Sequence, residues 1–260
     1  MIRALALALS LIAAPAAAQQ SIIGGHPCGP ALILSHGFGG SSNGLSDLAA
    51  AAVFGGWNVW LLDHPESGRD ALRDVLAAPD RRAALARAVA DPALNAARAR
   101  DLDHLLATAL PRCAALITVF GGHSMGAQTA IIEAGAANGM GVTGSDRFDA
   151  YIALSPQGRG ERFKPGAWAG IDKPVLMITG TRDTAIEGDY RTRLSAFEGL
   201  PAEGTKWLAI IDGGTHRHMS GRGDDPEAVL VREIVLDFLT GLVNGGVDLK
   251  SRPGVEIRHR

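Results

Sequence analysis

The strongest constraint in this chain is an abrupt change of period. An apolar run ending at Val119-Phe120 passes into Gly122-His123-Ser124-Met125-Gly126 and at once into the helix-like Ala127–Ala134. A Gly-x-Ser-x-Gly between a strand pattern and a helix pattern forces its serine into a sharp turn. Glycines flank it because the chain doubles back, where a Cβ would strike the facing backbone. The turn lifts the Ser124 hydroxyl clear of the sheet and points a following backbone N–H toward it. With 33 glycines in 260 residues the pattern also arises by accident, and Gly40-Ser41-Ser42-Asn43-Gly44 matches it too. Context separates the two. Ser42 sits well past its nearest apolar run, inside a Gly/Ser/Asn loop, and reads as a loop or substrate-side residue. Ser124 reads as a nucleophile.

Around this point, apolar runs and helical patterns alternate about six times, which predicts an α/β fold with a mostly parallel, doubly wound sheet. The expected strands are Ala31–Ser35, Trp57–Leu62, the run into Phe120, Ala150–Leu154, Pro174–Ile178 and Trp207–Ile211. Their unbroken apolar character suits strands covered on both faces. Leu45–Val53, Ala96–Leu110 and Glu227–Leu242 are the clearest expected helices. The alanine- and arginine-rich segment from Glu66 to Pro111 reads as surface helix covering the sheet, divided at Pro79 and Pro92. The connection Ser155–Ile171 is too brief for a large cap domain. At most one short strand fits in Gln19–Pro30.

The ends of the chain read differently. A basic start (Met1-Ile2-Arg3), an apolar Ala4–Ala14 and an Ala16-Ala17-Ala18 cleavage pattern mark residues 1–18 as a signal peptide. Export follows, to the periplasm or medium, with cleavage near Ala18. Residues 19–243 then form one catalytic domain, and the Gly-, Pro- and Arg-containing 244–260 a loosely held tail. The formal charge is −2 without a Lys/Arg cluster, so neither a nucleic-acid partner nor a stable membrane association is expected. Cys28 and Cys113 are the two cysteines. Each precedes an expected strand closely, and in an exported chain they are expected to pair.

A serine hydroxyl needs a base to take its proton and a third group to orient that base. Asp183 follows the strand Pro174–Ile178 through Thr179-Gly180-Thr181-Arg182, and His216 follows Trp207–Ile211 through Asp212-Gly213-Gly214-Thr215. Ser124, Asp183 and His216 therefore fall at the carboxyl ends of strands and form the candidate catalytic trio. Asp212 and Asp189 are alternates for the acid, and His218 for the base. His216 and His218 could also share a metal, but no further ligand cluster accompanies them, so no metal and no cofactor is expected. His123 reads as structural. The Met125 N–H and the Phe38 N–H, the latter from the flexible His36-Gly37-Phe38-Gly39-Gly40, are the expected oxyanion donors. Phe38 and Trp168 are expected to line the substrate groove.

These four segments, His36–Gly40, Gly122–Gly126, Gly180–Asp183 and Gly213–His216, resemble the oxyanion loop, elbow, acid turn and histidine turn of the α/β-hydrolase superfamily, over about Ala31 to Leu242. Leu34-Ser35-His36-Gly37, Leu62-Asp63-His64-Pro65 and Gly180-Thr181-Arg182-Asp183 resemble dienelactone-hydrolase-like and platelet-activating-factor-acetylhydrolase-like esterases. The elbow is also similar to that of cutinases and polyester hydrolases. The resemblance implies an α/β-hydrolase fold trimmed at its N-terminus, and a serine esterase acting on a small-molecule or polymeric ester through an acyl-enzyme. A dienelactone hydrolase would carry cysteine where Ser124 stands, which favours ester cleavage. A polyester- or cutin-type hydrolase and a noncatalytic binding protein on the same fold are the alternatives.

Overall fold

The computed structural model describes residues 19–22, 26, 28–109, 115 and 117–260. The expected signal peptide and Cys113 lie outside the described residues, and so does the test of the Cys28–Cys113 pairing.

Eight strands form one sheet in the order β1-β3-β2-β4-β5-β6-β7-β8. They are β1 (Gln19–Ile22), β2 (Ala31–Ser35), β3 (Asn58–Leu62), β4 (Thr118–His123), β5 (Ala150–Leu154), β6 (Val175–Arg182), β7 (Lys206–Thr215) and β8 (Val255–His259). The six central strands pair in parallel, while β1 on β3 and β8 on β7 close the two edges antiparallel. The helices are α1 (Ser46–Phe54), α2 (Arg69–Ala77), α3 (Arg81–Ala90), α4 (Pro92–Thr108), α5 (Met125–Glu133), α6 (Arg191–Glu198) and α7 (Pro226–Val243).

Strand side chains alternate between faces, and here both faces are dry. Leu32, Leu34, Val119, Ile152 and Ile178 meet Leu48 and Ala52 of α1 and Ile234 and Phe238 of α7. Ile33, Phe120, Tyr151 and Met177 meet Leu102 and Leu105 of α4, Ala130 and Ile131 of α5 and Phe197 of α6. Burial on both sides is why these strands read as continuous apolar runs rather than as alternations.

Two strands run further than their apolar stretches. β6 continues to Arg182 and β7 to Thr215, with a register shift between Gly180 and Arg182. A Cβ on Gly180 would stand 2.3 Å from the Gly214 carbonyl oxygen. Only glycine permits this approach, and the irregularity re-aims the residues that follow. Asp183 and His216 are those residues.

The tail departs from expectation. Far from being loosely held, it supplies β8, whose Val255 pairs with Ile211 and whose His259 pairs with Trp207. The Trp207 and His259 rings stack at 5.0 Å between centroids, and Arg252 ties the approach to Asp237 of α7 at 2.5 Å. An edge strand with one wet face reads as Val-Glu-Ile-Arg-His, which has too little apolar content to stand out. Deleting 253–260 should uncover Ile211 and Trp207 and cost roughly 2–3 kcal/mol, measured as a lowered urea midpoint relative to the full chain.

Candidate active site

Ser124 sits between β4 and α5 at φ 57° and ψ −116°, outside the ordinary regions for a residue with a side chain. The surroundings hold it there. Its N–H donates to Leu154 O at 2.9 Å, and its carbonyl accepts from the Gln128 N–H at 3.0 Å and the Gln157 carboxamide at 3.1 Å. The flanking glycines are obligatory for space: a Cβ on Gly126 would lie 1.9 Å from Ser35 O, and one on Gly122 at 2.5 Å from the same atom.

Asp183 is wholly buried, and four donors converge on its carboxylate. Its Oδ1 accepts from His216 Nδ1 at 2.8 Å and Arg193 at 3.0 Å. Its Oδ2 accepts from the hydroxyls of Ser155 at 2.5 Å and Thr179 at 2.9 Å. Burial alone would push the carboxyl toward its neutral form. The hydrogen bond from His216 and the charge of Arg193 outweigh it and hold Asp183 below the usual carboxylate range. Because a carboxylate can only accept, His216 carries its hydrogen on Nδ1 and leaves Nε2 as the basic nitrogen. Among the described residues Nε2 has no protein partner, and the ring is partly exposed.

The rival assignments separate cleanly. Asp212 accepts from the Thr181 hydroxyl at 3.0 Å and Asp189 pairs with Arg191 at 2.8 Å. His218 lies near Asp225 and Glu227, at 3.6 and 3.7 Å. None of the three reaches the Asp183–His216 pair. His123 lies beneath it, donating from Nε2 to His216 O at 2.9 Å, with the two rings 4.7 Å apart. Burial, then the neighbouring His216, lowers His123 to about 3, so it is a neutral prop for the histidine turn. Ser42 is buried in a short turn, where Asp63 accepts from its N–H at 3.2 Å.

The loop after β2 lies against the elbow, since a Cβ on Gly37 would stand 3.1 Å from Ser124 Cβ. Its conformation is fixed from behind. The Gly39 N–H donates to Ser67 O at 2.8 Å, and the buried Arg98 donates to His36 O and, at 2.6 Å, to the Ser67 hydroxyl. Among the described residues the Phe38 and Met125 N–H groups donate to no protein acceptor, and both residues line the same cleft as Ser124.

A cleft of about 790 Å³ joins Ser124, His216, Phe38 and Met125. Its apolar wall is made by Leu72, Val75 and Leu76 of α2 and Leu85 and Val89 of α3. By its pattern alone this segment reads as cover for the sheet. Trp168 does not line the cleft; it is buried, stacked on Phe163 at 5.5 Å, in the core beside α6. The connection carrying it turns its ring inward, away from the strand ends that build the site. Among the described residues no group of three or more His, Cys, Asp or Glu is placed to hold a metal ion.

Arg193 escaped the sequence reading. Buried on α6, it donates to Asp183 Oδ1 and to the carbonyls of Ser155, Pro156, Asp183 and Thr184, and lies 3.2 Å from His216 Nδ1. The one signal for it was its spacing from Ala196 and Phe197, which puts an arginine on the inward stripe of α6.

No protein-family model matches this chain, and no curated protein matches its sequence.

If the site turns over a substrate, Asp183→Asn should cut that rate by roughly 10⁴-fold, through the wrong imidazole tautomer. It should also flatten the pH dependence of stability. A depressed carboxyl stabilises above its unfolded pKa of about 4 and loses that contribution as pH falls through its lower folded value. Denaturation midpoints from pH 7 down to pH 2 should therefore fall less steeply in the variant than in the wild type.

Proposed function

We propose that this chain is a serine hydrolase of carboxylic esters, built on an α/β-hydrolase fold. The reading is carried by one observation. A buried, charge-stabilised Asp183 orients His216 at 2.8 Å beside a cleft that also holds Ser124 on its strained turn.

Ser124 Oγ attacks the ester carbonyl carbon while His216 Nε2 takes its proton. The negative charge that develops on the carbonyl oxygen is met by the Phe38 and Met125 N–H groups. His216 then protonates the departing alkoxide, leaving Ser124 acylated, and a water deprotonated by His216 attacks the acyl group and releases the acid. Among the described residues no hydrogen bond joins Ser124 Oγ to His216. Such contacts are often long without substrate and tighten on binding. Among the described residues neither Asp183 nor Arg193 is hydrogen-bonded to Ser124, so their work is to orient and charge-balance the imidazole.

The cleft volume lies within the range of small-molecule sites, and its α2–α3 wall favours a small ester over a polymer chain lying across an open groove. Export after cleavage near Ala18 and pairing of Cys28 with Cys113 belong to the same proposal. N-terminal sequencing and thiol titration of the secreted protein address them.

A fluorophosphonate should label the wild-type chain on Ser124 and leave Ser124→Ala unlabelled. Absent labelling, or labelling that survives the substitution, would remove the hydrolase reading in favour of a binding protein. A series of p-nitrophenyl esters of increasing acyl length should be cleaved by the wild type with a maximum at short or medium chains, and not measurably by Ser124→Ala.

A further inference from the structure

The walls of the cleft carry more positive charge than they neutralise. Its lining includes Arg81, Arg82, Arg162 and Arg193 against the carboxylates of Glu187 and Asp189. Both carboxylates are committed. Glu187 accepts from Arg162, itself nearly buried, and Asp189 pairs with Arg191 at 2.8 Å. Arg193 is committed to Asp183. The guanidinium groups of Arg81 and Arg82 remain, and among the described residues neither has a carboxylate partner.

Both are held in place by backbone. Arg81 Nε donates to Leu76 O at 3.0 Å, and an Arg82 terminal nitrogen donates to Ile186 O at 2.5 Å, in the loop opposite α3. These bonds order the side chains without neutralising them, and each guanidinium keeps further N–H donors free. The cleft that the pair shares with the catalytic serine also has an aliphatic wall: Leu72, Val75, Leu76, Leu85 and Val89. The cleft thus offers an oxyanion site, an apolar wall, and a doubly cationic rim on the exposed start of α3.

Resting on the esterase reading, we propose that this site is built for esters bearing a carboxylate at the far end of an apolar chain. Monoesters of aliphatic dicarboxylic acids are the simplest members. The ester end occupies the catalytic centre, the methylenes lie along α2 and α3, and the free carboxylate is received by Arg81 and Arg82. A guanidinium suits this role because it stays charged and presents parallel N–H groups to both carboxylate oxygens. Arg81 and Arg82 are here specificity-determining residues and take no part in bond breaking.

The test compares two esters of matched length and leaving group, p-nitrophenyl hexanoate and mono-p-nitrophenyl adipate. It uses the wild-type chain, Arg81→Gln, and the Arg81→Gln/Arg82→Gln double variant. The quantity read is the adipate-to-hexanoate ratio of kcat/KM, in which any general disturbance of the active site cancels. The ratio should fall about threefold for Arg81→Gln and roughly tenfold for the double variant, chiefly through KM, as expected for exposed ion pairs. In the wild type it should also fall as salt is raised from 20 to 500 mM, values chosen to span the range over which such pairs are screened (roughly 20 Å to 4 Å). A ratio that is the same in all three proteins, with hexanoate cleaved, would overturn the anion proposal and leave the esterase reading standing. Cleavage of neither ester by a wild-type chain that also resists fluorophosphonate would overturn both.

Discussion

The site depends on keeping one carboxylate charged inside the protein. A buried Asp183 without partners would take up a proton and cease to orient anything. Here its two oxygens are met by four donors drawn from four segments: Ser155 after β5, Thr179 within β6, Arg193 on α6 and His216 after β7. Each of those segments is therefore fixed relative to the others by the same charge. The glycine contact that draws β6 and β7 together at Gly180 and Gly214 exists within this arrangement, since it sets how closely the acid turn and the histidine turn approach. Losing any one donor would loosen the imidazole as well as the acid.

A second relay of the same residue types shows why geometry rather than composition marks a site. Arg98 donates to the Ser35 hydroxyl at 2.8 Å, Ser35 reaches His64 Nε2 at 3.0 Å, and His64 Nδ1 donates to Asp101 at 2.7 Å. Serine, histidine and aspartate stand in hydrogen-bonding order there too. Ser35 and His64 are wholly buried, however, and the serine oxygen is occupied by a guanidinium, so no carbonyl can reach it. Burial, reinforced by Glu66, raises Asp101 to about 7, where burial also drives His64 well below its ordinary value. These are the signatures of a structural network. Its output is mechanical, because Arg98 at the same time grips His36 O and the Ser67 hydroxyl behind the His36–Gly40 loop.

What could be read from the sequence and what could not divides along physical lines. Both faces of the sheet are dry, so β2, β5 and the elbow strand announced themselves as apolar runs, and the turns carrying Ser124, Asp183 and His216 followed from glycines at strand ends. Three things stayed hidden. The edge strand β8 has a polar face and needs β7 beside it before its pattern means anything. Helices α2 and α3 looked like sheet cover because amphipathicity records that a face is apolar, not whether it meets a core or a cleft. Trp168 looked suited to a groove because a large aromatic in a Gly/Pro-rich connection gives no sign of which way its ring will turn.

The two buried arginines answer a need common to this architecture. Where parallel strands end, carbonyls point out of the ladder and the loops that leave them bend too sharply to pair among themselves. Each unpaired carbonyl costs free energy unless a donor is brought to it. Arg193 supplies four such carbonyls from one side chain, and Arg98 caps the first carbonyl after β2 while bonding three hydroxyls. Lysine has three donors at a single point and cannot span that spread, whereas the planar guanidinium presents five along a fixed edge. Burial lowers Arg98 only to about 9, so it keeps its charge at neutral pH. Two guanidiniums thus hold the loops on either side of Ser124, one behind the His36–Gly40 loop and one behind Asp183 and His216. A strained serine turn works only if its neighbours do not relax around it.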